Sequence, residues 1–176
     1  MPVDAIVIET LTPDAASNAI PALVEILRDS VANGASVGFM AWNTPEDYRG
    51  FWTGVIDEVG AGRTVLLIAR LAGEIVGTAQ LQLIGKPNQP HRAEIAKVLV
   101  HSSARRQGLG EKLMRAAEDA ARQAGRTLLV LDTDEAGAAR RLYGRLGWTE
   151  VGTIPRFALM PNGRDCGSTF FYKTIG

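Results

Sequence analysis

Residues Arg105 to Gly110 have the composition of a loop that binds phosphate. The segment, Arg-Arg-Gln-Gly-Leu-Gly, leads directly into a stretch in which apolar residues recur at helical spacing. A glycine-rich turn at a helix N-terminus offers unpaired backbone N–H groups and the positive end of the helix dipole, and arginines add positive charge. We therefore expect an anionic group to be bound by this loop, which consists of Arg105, Arg106, Gln107, Gly108, Leu109 and Gly110.

Two common phosphate-binding motifs do not match this anion-binding loop. The dinucleotide fingerprint needs a third glycine three positions after Gly110, and this chain has Leu113 there. A nucleoside-triphosphate loop needs Gly-Lys followed by Ser or Thr, a tripeptide that the sequence lacks. The pattern that remains is Arg-x-x-Gly-x-Gly.

Asp132 lies where a side chain could accept a proton. It directly follows the apolar run 128–131, which favours a central strand, so it is expected at the carboxyl end of that strand. A carboxylate there could take a proton from a substrate directly or through water. The structural alternative is a cap for the following helix, for which Asp134 is better placed.

Glu94 is a second candidate for accepting a proton. It lies in the strand predicted before the anion-binding loop, and the alternation of a strand places it on the same face as Val98 and Val100. The structural alternative is an ion pair with a basic neighbour, Arg92 or Lys97.

The elements that would position these residues form an α/β domain of the α+β type, extending over residues 1–176. Apolar spacing and capping residues predict helices at 13–31, 44–59, 108–124 and 136–146. Apolar runs bounded by turns predict strands at 3–10, 64–71, 75–84, 92–100, 127–131, 148–154 and 167–175. We therefore expect a mixed sheet of six or seven strands.

Composition excludes several classes of protein. The chain has 176 residues, of which 46% are hydrophobic and 22% charged, as in ordinary globular proteins. The longest wholly apolar run, Val65 to Ala69, is far shorter than the roughly 20 residues that span a bilayer. The first ten residues include acidic but no basic ones, so no secretory signal is predicted. Because Cys166 is the single cysteine and no Cys/His group has metal-ligand spacing, we expect a reduced, cytoplasmic setting without a metal.

Charge is unevenly distributed, although the formal net charge is zero. Residues 1–62 carry a net charge of −7, and the rest of the chain therefore carries +7. Either one domain has two differently charged surfaces, or an anionic cofactor meets the basic part and a cationic substrate the acidic part. Because aromatic residues do not alternate with the basic ones, we expect no nucleic-acid partner.

The Arg-x-x-Gly-x-Gly pattern resembles the pyrophosphate loop of the GNAT superfamily of acyl-CoA-dependent N-acyltransferases. The strand end before it, Val98 to Val100, and the segment 138–148 after it, Ala-Ala-Arg-Arg-Leu-Tyr-Gly-Arg-Leu-Gly-Trp, are also similar to that family's motifs. The resemblance implies a mostly antiparallel sheet with about four flanking helices, and acetyl-CoA as the co-substrate. The strings GASVGFMA, KPN, RAEIAKV and LDTDEAG are similar to a bacterial member that acetylates a small toxic amino-acid derivative.

The resemblance also implies roles for particular residues. The strands of Glu94 and Asp132 would be neighbours that splay apart, so that both carboxylates border the acceptor amine and either could take its proton. Tyr143 would face the cofactor sulfur and protonate it on departure, although its apolar neighbours would also suit a core residue. The strand end Val98–Val100 would pair with the pantetheine amides, and a bulge near Leu99 would expose an oxyanion donor.

The segment from Gly34 to Trp42 is expected to form part of the acceptor pocket. It is rich in small and apolar residues, and Phe39 and Trp42 would provide an apolar wall. The structural alternative is packing of the two N-terminal helices against each other.

A closed apolar pocket suits a small amine better than a peptide. We therefore expect an N-acetyltransferase that acts on a small molecule, such as an amino-acid-like toxin or antibiotic, by direct attack in a ternary complex. The alternatives are a protein or peptide N-acetyltransferase, and an acyl-CoA-binding protein without transfer activity. Many members of the family pair, so a homodimer is also expected; no membrane partner is.

Overall fold

The computed structural model describes residues 5–176, which form one β-sheet between two layers of helices. The strands are β1 (Val7–Thr10), β2 (Thr64–Leu71), β3 (Glu74–Leu83), β4 (Arg92–Val100), β5 (Leu128–Asp134), β6 (Thr149–Leu159) and β7 (Asp165–Thr174). The helices are α1 (Pro13–Ala32), α2 (Pro45–Gly60), α3 (Leu109–Gln123) and α4 (Ala139–Arg145), with a short 3-10 turn at Ser102–Ala104. The expected mixed, mostly antiparallel sheet with four helices is confirmed.

The strand order across the sheet is β1-β2-β3-β4-β5-β7-β6. Within the described sheet β4 and β5 are the one parallel pair, and every other neighbouring pair is antiparallel. The pairing of β4 with β5 extends over three residue pairs only, from Arg92 with Leu128 to Glu94 with Val130. Beyond that point the two strands separate, as expected, and leave a cleft in the middle of the sheet.

Two hydrophobic clusters cover opposite faces of the sheet. One contains Leu113 and Met114 of α3 and Tyr143 of α4, packed against buried strand residues such as Leu81 and Leu129. The other joins α1 and α2 to β2 and β4 through apolar residues including Leu23, Trp52, Leu66 and Leu99. We call these faces the α3–α4 side and the α1–α2 side.

The first two helices begin at the capping residues that the sequence offers. The hydroxyl of Thr12 accepts a hydrogen bond from Ala15 N at 3.3 Å. The hydroxyl of Thr44 accepts one from Asp47 N at 3.3 Å, while the Asp47 carboxylate accepts the Thr44 N–H at 2.7 Å, which completes a capping box. These caps fix where α1 and α2 start beneath the sheet.

A bulge in β4 changes which face its residues occupy. Thr78 of β3 pairs with Leu99 and Gln80 pairs with Ala96, so residues 97 and 98 together oppose a single residue of β3. After the bulge Leu99 packs on the α1–α2 side, whereas Ile95 before it packs on the α3–α4 side. The prediction that Glu94 shares a face with Val98 and Val100 is therefore wrong, because an inserted residue reverses the alternation.

Several element ends differ from those predicted. β5 continues three residues past its predicted end, so Asp132 lies inside the strand and not after it. α4 begins at Ala139 because residues 135–138 form a turn, in which the Asp134 carboxylate accepts a hydrogen bond from Ala136 N at 3.0 Å. β6 extends to Leu159 rather than Ile154. Residues 3 and 4 of the first predicted strand lie outside the described residues.

Candidate active site

The cleft between β4 and β5 is lined by most of the residues that the sequence singled out. It has a volume of about 880 Å³. Of the predicted cofactor-binding residues, all but Gln107 line it, as do Asp132 and Tyr143 among the predicted catalytic residues. The lining is completed by residues 34–38, by the turn before α4, and by parts of β6 and β7. The separation of two neighbouring strands thus brings together residues that are far apart in the sequence.

The anion-binding loop ends in a helix whose first N–H groups are open. Gly108, the residue before α3, has a φ of 77°, and no side chain caps the helix. The first N–H groups of a helix have no partner within it, and they carry its partial positive charge. Arg106 also has a positive φ, 64°. The loop therefore has an irregular backbone where the open N–H groups of α3 meet the cleft.

Asp29 of α1 anchors the start of this loop. Its Oδ2 accepts a hydrogen bond from Ser102 N at 2.8 Å, and its Oδ1 accepts one from the Ser102 hydroxyl at 2.7 Å. Arg105 Nη2 lies 3.8 Å from Oδ2, and Arg105 Nε donates to the carbonyl of Val100 at 3.1 Å. Burial by itself would raise the pKa of Asp29, but the hydrogen bonds from Ser102, with the charges of His101 and Arg105, hold that pKa below its usual value.

Sequence reasoning missed Asp29, although a signal for it exists. An acidic residue at a buried position of an amphipathic helix needs a hydrogen-bonding partner. Asp29 is such a residue, because it lies on the buried face of α1 next to Ser30. The partner, Ser102, is 73 residues away in the chain. A single sequence does not reveal which residue satisfies a buried carboxylate at that separation.

Asp132 lies on the arm of β5 that leaves the sheet pairing. It comes two residues after Val130, the last residue of β5 that pairs with β4, and its side chain is exposed to the cleft. The hydroxyl of Ser168 donates to Asp132 Oδ2 at 2.6 Å. Among the described residues, none donates to Oδ1. One oxygen is therefore fixed by the protein, and the other is available to a ligand or to water.

Glu94 lies at the closed end of the cleft. It is the last residue of β4 that pairs with β5, and it does not line the cavity. Its Oε1 accepts a hydrogen bond from Arg92 Nη1 at 2.5 Å, and the Glu94 side chain is 41% exposed. The structure brings Asp132 and Tyr143 together and leaves Glu94 in the ion pair that was its structural alternative.

Tyr143 projects from α4 into the cleft from the α3–α4 side. Its ring packs against Phe171 at 5.5 Å and Trp148 at 6.2 Å between centroids, so the ring is part of the core. Burial, together with the negative charges of Asp132 and Asp134, raises the pKa of Tyr143 to about 12. The phenol therefore keeps its proton at neutral pH and can donate a hydrogen bond into the cleft.

Phe39 and Trp42 do not line the cleft. Phe39 packs edge-on against Tyr48 and Phe51 of α2, at 5.1 and 5.4 Å between centroids. Trp42 is 71% exposed. The earlier part of the same segment, Gly34 to Gly38, does line the cleft. Apolar character alone did not separate the residues that pack on α2 from those that face the cavity.

Comparison with known proteins gives this cleft a context. The model of the acetyltransferase (GNAT) family matches residues 22–148. The chain belongs to the GNAT family. The matched region contains the anion-binding loop, Asp132 and Tyr143, and family membership makes this chain an acetyltransferase.

Solved GNAT-like structures share the fold over nearly the whole chain. The yncA protein of Salmonella typhimurium, solved with its cofactor acetyl-CoA, is 22% identical with a TM-score of 0.77, over 98% of this chain and 95% of that one. The ribosomal-protein-alanine N-acetyltransferase of Brucella melitensis is 26% identical with a TM-score of 0.78, over 96% of this chain and 99% of that one. An uncharacterised N-acetyltransferase of Azospirillum brasilense is 33% identical over 115 residues, 64% of this chain and 67% of its own.

No helix among residues 5–176 combines the length and the apolar character needed to cross a bilayer. Within the same residues no group of three or more His, Cys, Asp or Glu side chains is placed to hold a metal ion.

Proposed function

We propose that this GNAT enzyme transfers the acetyl group of acetyl-CoA to the primary amine of a small molecule. The observation that carries the proposal is that one cleft joins three features: the uncapped start of α3, the Asp132 carboxylate and the protonated Tyr143 phenol. Binding of an acyl-CoA without transfer would need the first of these only. The two proton-handling groups favour an enzyme over a binding protein.

Acetyl-CoA fits the chemistry of this lining. Its pyrophosphate would be held by the open N–H groups at the start of α3 and by Arg105 and Arg106, which line the same part of the cleft. Its pantetheine amides would pair with the edge of β4 that β5 no longer covers, at Val98 to Val100. When bound, acetyl-CoA supplies an activated acetyl thioester.

Asp132 is assigned the role of proton acceptor. At pH 7 an amine with a pKa of about 10.4 is neutral in roughly one molecule in 2,500, so its deprotonation costs about 4.6 kcal/mol. Asp132 has a free Oδ1 in the cleft, and Ser168 fixes its orientation. Glu94 is less suited to this role, because it is paired with Arg92 and lies where the strands are still joined.

Tyr143 is assigned the role of stabilising the leaving thiolate. A phenol with a pKa of about 12 keeps its proton at neutral pH and can donate a hydrogen bond to the departing thiolate. Because the thiol has a pKa near 8.5, complete proton transfer from the phenol is uphill, and the hydrogen bond stabilises the thiolate charge as it develops. Because Tyr143 enters the cleft from the α3–α4 side and Asp132 lies on β5, the two groups border the reacting atoms from different elements. Proton acceptance and stabilisation of the leaving thiolate are therefore performed by separate residues.

A small acceptor is proposed to bind beside Gly34 to Gly38. These residues line the same cavity as Asp132, together with Phe157 and Met160, and Val37 among them packs on the α1–α2 side. The strings GASVGFMA, KPN, RAEIAKV and LDTDEAG, which resemble the tabtoxin resistance protein, extend the proposal to an amino-acid-like toxin or antibiotic. The single cysteine and the use of acetyl-CoA fit a cytoplasmic enzyme.

We further propose that two copies pair through β6. This 11-residue strand lies at the edge of the sheet and exposes Val151, Ile154, Phe157 and Leu159. A long apolar edge strand offers unpaired backbone groups to a partner, and an identical strand related by a two-fold axis satisfies them on both sides. A homodimer would cover this edge.

The experiment that tests the proposed function is acetyl transfer by the Tyr143→Phe variant. Removing only the hydroxyl preserves the packing of the ring against Phe171, so kcat should fall about 10²–10⁴-fold while acetyl-CoA affinity, measured by calorimetry, changes less than threefold. Tyr172→Phe is the matched control, since Tyr172 does not line the cleft.

The acceptors offered are small primary amines and, separately, short peptides with free N-termini. Turnover of the amines supports the proposal. Turnover restricted to peptides would replace the small acceptor by a peptide, and acetyl-CoA binding without any turnover would leave a binding protein. Equal turnover by wild type and Tyr143→Phe would remove Tyr143 from the reaction.

A further inference from the structure

Lys97 is a cationic side chain in the reaction cleft that the steps above do not use. It lies at the bulge of β4 with a φ of 51°, a conformation that residues with a side chain rarely adopt. Its Nζ lies 5.4 Å from the centroid of the Phe51 ring and 4.0 Å from where a Cβ at Gly38 would stand. The bulge therefore directs this ammonium to the α1–α2 side, where the acceptor is proposed to bind.

The ammonium of Lys97 has no anionic partner within the described residues. No carboxylate oxygen of residues 5–176 lies within 4.0 Å of its Nζ, and it donates no hydrogen bond there. Burial lowers the pKa of Lys97, and the negative charge of Asp132 opposes that effect. The cation and the carboxylate thus face the same cavity without forming an ion pair, and the partly buried ammonium lacks the counter-charge that such an ion requires.

The anion that Lys97 would take does not belong to the cofactor. Val98 and Val100, which border the cofactor part of the cleft, pack on the α3–α4 side, and the anion-binding loop continues from them into α3. Lys97 contacts Phe51 of α2 on the other side of the sheet. A phosphate held at the start of α3 and an anion held by Lys97 would therefore lie on different sides of β4.

We propose that Lys97 binds a carboxylate of the acceptor, so that the acceptor is a zwitterion of the α-amino-acid type. Its ammonium group would be drawn to Asp132 and its carboxylate to Lys97, across the gap that separates the two side chains. This inference rests on the proposed function and names its substrate class. Sites built to bind a charged group reject analogues that lack it, because the buried partner is then left unpaired.

The test compares α-amino acids with their primary carboxamides, which keep the amine and lose the negative charge. For each pair of acid and amide, acetyl transfer from acetyl-CoA is measured with wild type, Lys97→Met and Lys97→Arg. The control variant is Lys86→Met, because Lys86 is exposed and lies outside the cleft. We expect wild type to favour the acids at least tenfold in kcat/KM. Lys97→Met should lose that preference, so that its kcat/KM values for the acid and the amide of a pair differ by less than threefold, and Lys97→Arg should keep the preference.

Each outcome decides between the two proposals. Equal use of acids and amides by wild type, or a preference that survives in Lys97→Met, overturns the role of Lys97 and leaves the proposed function standing. Loss of activity toward acids and amides alike in Lys97→Arg would make Lys97 a proton carrier and not a carboxylate ligand. If wild type acetylates peptides but no amino acid or amide, both proposals fail together. Amide turnover by Lys97→Met shows that the variant is folded.

Discussion

Replacing Asp29 by asparagine tests how the anion-binding loop is held in place. Asp29 is buried in α1 and accepts hydrogen bonds from both the backbone and the hydroxyl of Ser102, at 2.8 and 2.7 Å. Asparagine keeps one acceptor oxygen, but its NH2 group replaces the other oxygen and would face a donor of Ser102. We therefore expect one charge-assisted hydrogen bond to be lost, together with the attraction to Arg105.

The loss of one charge-assisted hydrogen bond sets the expected change in the melting temperature of Asp29→Asn. A hydrogen bond to a charged group contributes about 1.5–3 kcal/mol. In a domain of this length 1 kcal/mol changes the melting temperature by about 2–4 °C, so Asp29→Asn should melt roughly 3–12 °C below wild type. Acetyl-CoA should also bind more weakly, because Arg105 loses the carboxylate that helps to orient it.

The assay is thermal unfolding at several pH values, with Glu25→Gln as the matched control. Glu25 lies one turn earlier on α1 and forms an exposed ion pair with Arg28, so its replacement should change the melting temperature by less than about 2 °C. Because the folded-state pKa of Asp29 lies below its unfolded value of about 3.9, its stabilising effect is complete above that pH and is lost as the pH falls toward the folded pKa. The difference between wild type and Asp29→Asn should thus shrink below about pH 4.

Two results would refute this reasoning. One is a melting temperature for Asp29→Asn that equals that of Glu25→Gln at pH 7. The other is a difference from wild type that is as large at pH 3 as at pH 7, since the charge of Asp29 would then contribute nothing to it.

Three further predictions concern the core, the loop and the sheet edge. Glu118→Ala should cost about 3–5 kcal/mol in denaturant unfolding, because Lys173 Nζ lies 2.8 Å from the buried carboxylate and would lose its anionic partner. Glu118→Gln with Lys173→Met should recover more than half of that loss, because the amide oxygen still accepts the Trp148 Nε1–H. Gly108→Ala should destabilise the protein by about 1–2 kcal/mol and weaken acetyl-CoA binding, because a residue with a Cβ is strained at a φ of 77° even though no atom blocks the Cβ. The control Gly54→Ala, in the interior of α2, should stabilise the protein by about 0.5–1 kcal/mol. Ile154→Asp should give a monomer in light scattering if β6 forms the dimer, and a mass unchanged from a wild-type dimer would contradict that interface.

The architecture could be predicted because its signals are local. Thr12 and Thr44 mark helix starts by their own hydrogen bonds, and the Arg-x-x-Gly-x-Gly pattern carries its chemistry within six residues. Tyr143 lies on a predicted helix and Asp132 directly follows the predicted part of β5, and both line the cleft.

The wrong predictions concern residues whose orientation is set by parts of the chain that are distant in sequence. The face of Glu94 was wrong because nothing in the sequence of β4 shows that residues 97 and 98 oppose a single residue of β3. Phe39 packs on α2 although the residues just before it, Gly34 to Gly38, line the cleft, and the sequence of this segment does not distinguish the two environments. The same bulge that caused the error about Glu94 also turned Lys97 toward the acceptor side.

The three-residue parallel pairing between β4 and β5 makes the sheet mechanically uneven. Strands β1 to β4 form one block and β5 to β7 another, each joined internally by long antiparallel ladders, with a short seam between them. We therefore expect small rotations about this seam to widen or narrow the cleft without breaking a ladder, which would let a long flexible ligand enter. Amide exchange should be faster at the seam, near Ala93 and Leu129, than in the middle of β2 or β7, and a ligand that bridges the two blocks should slow it.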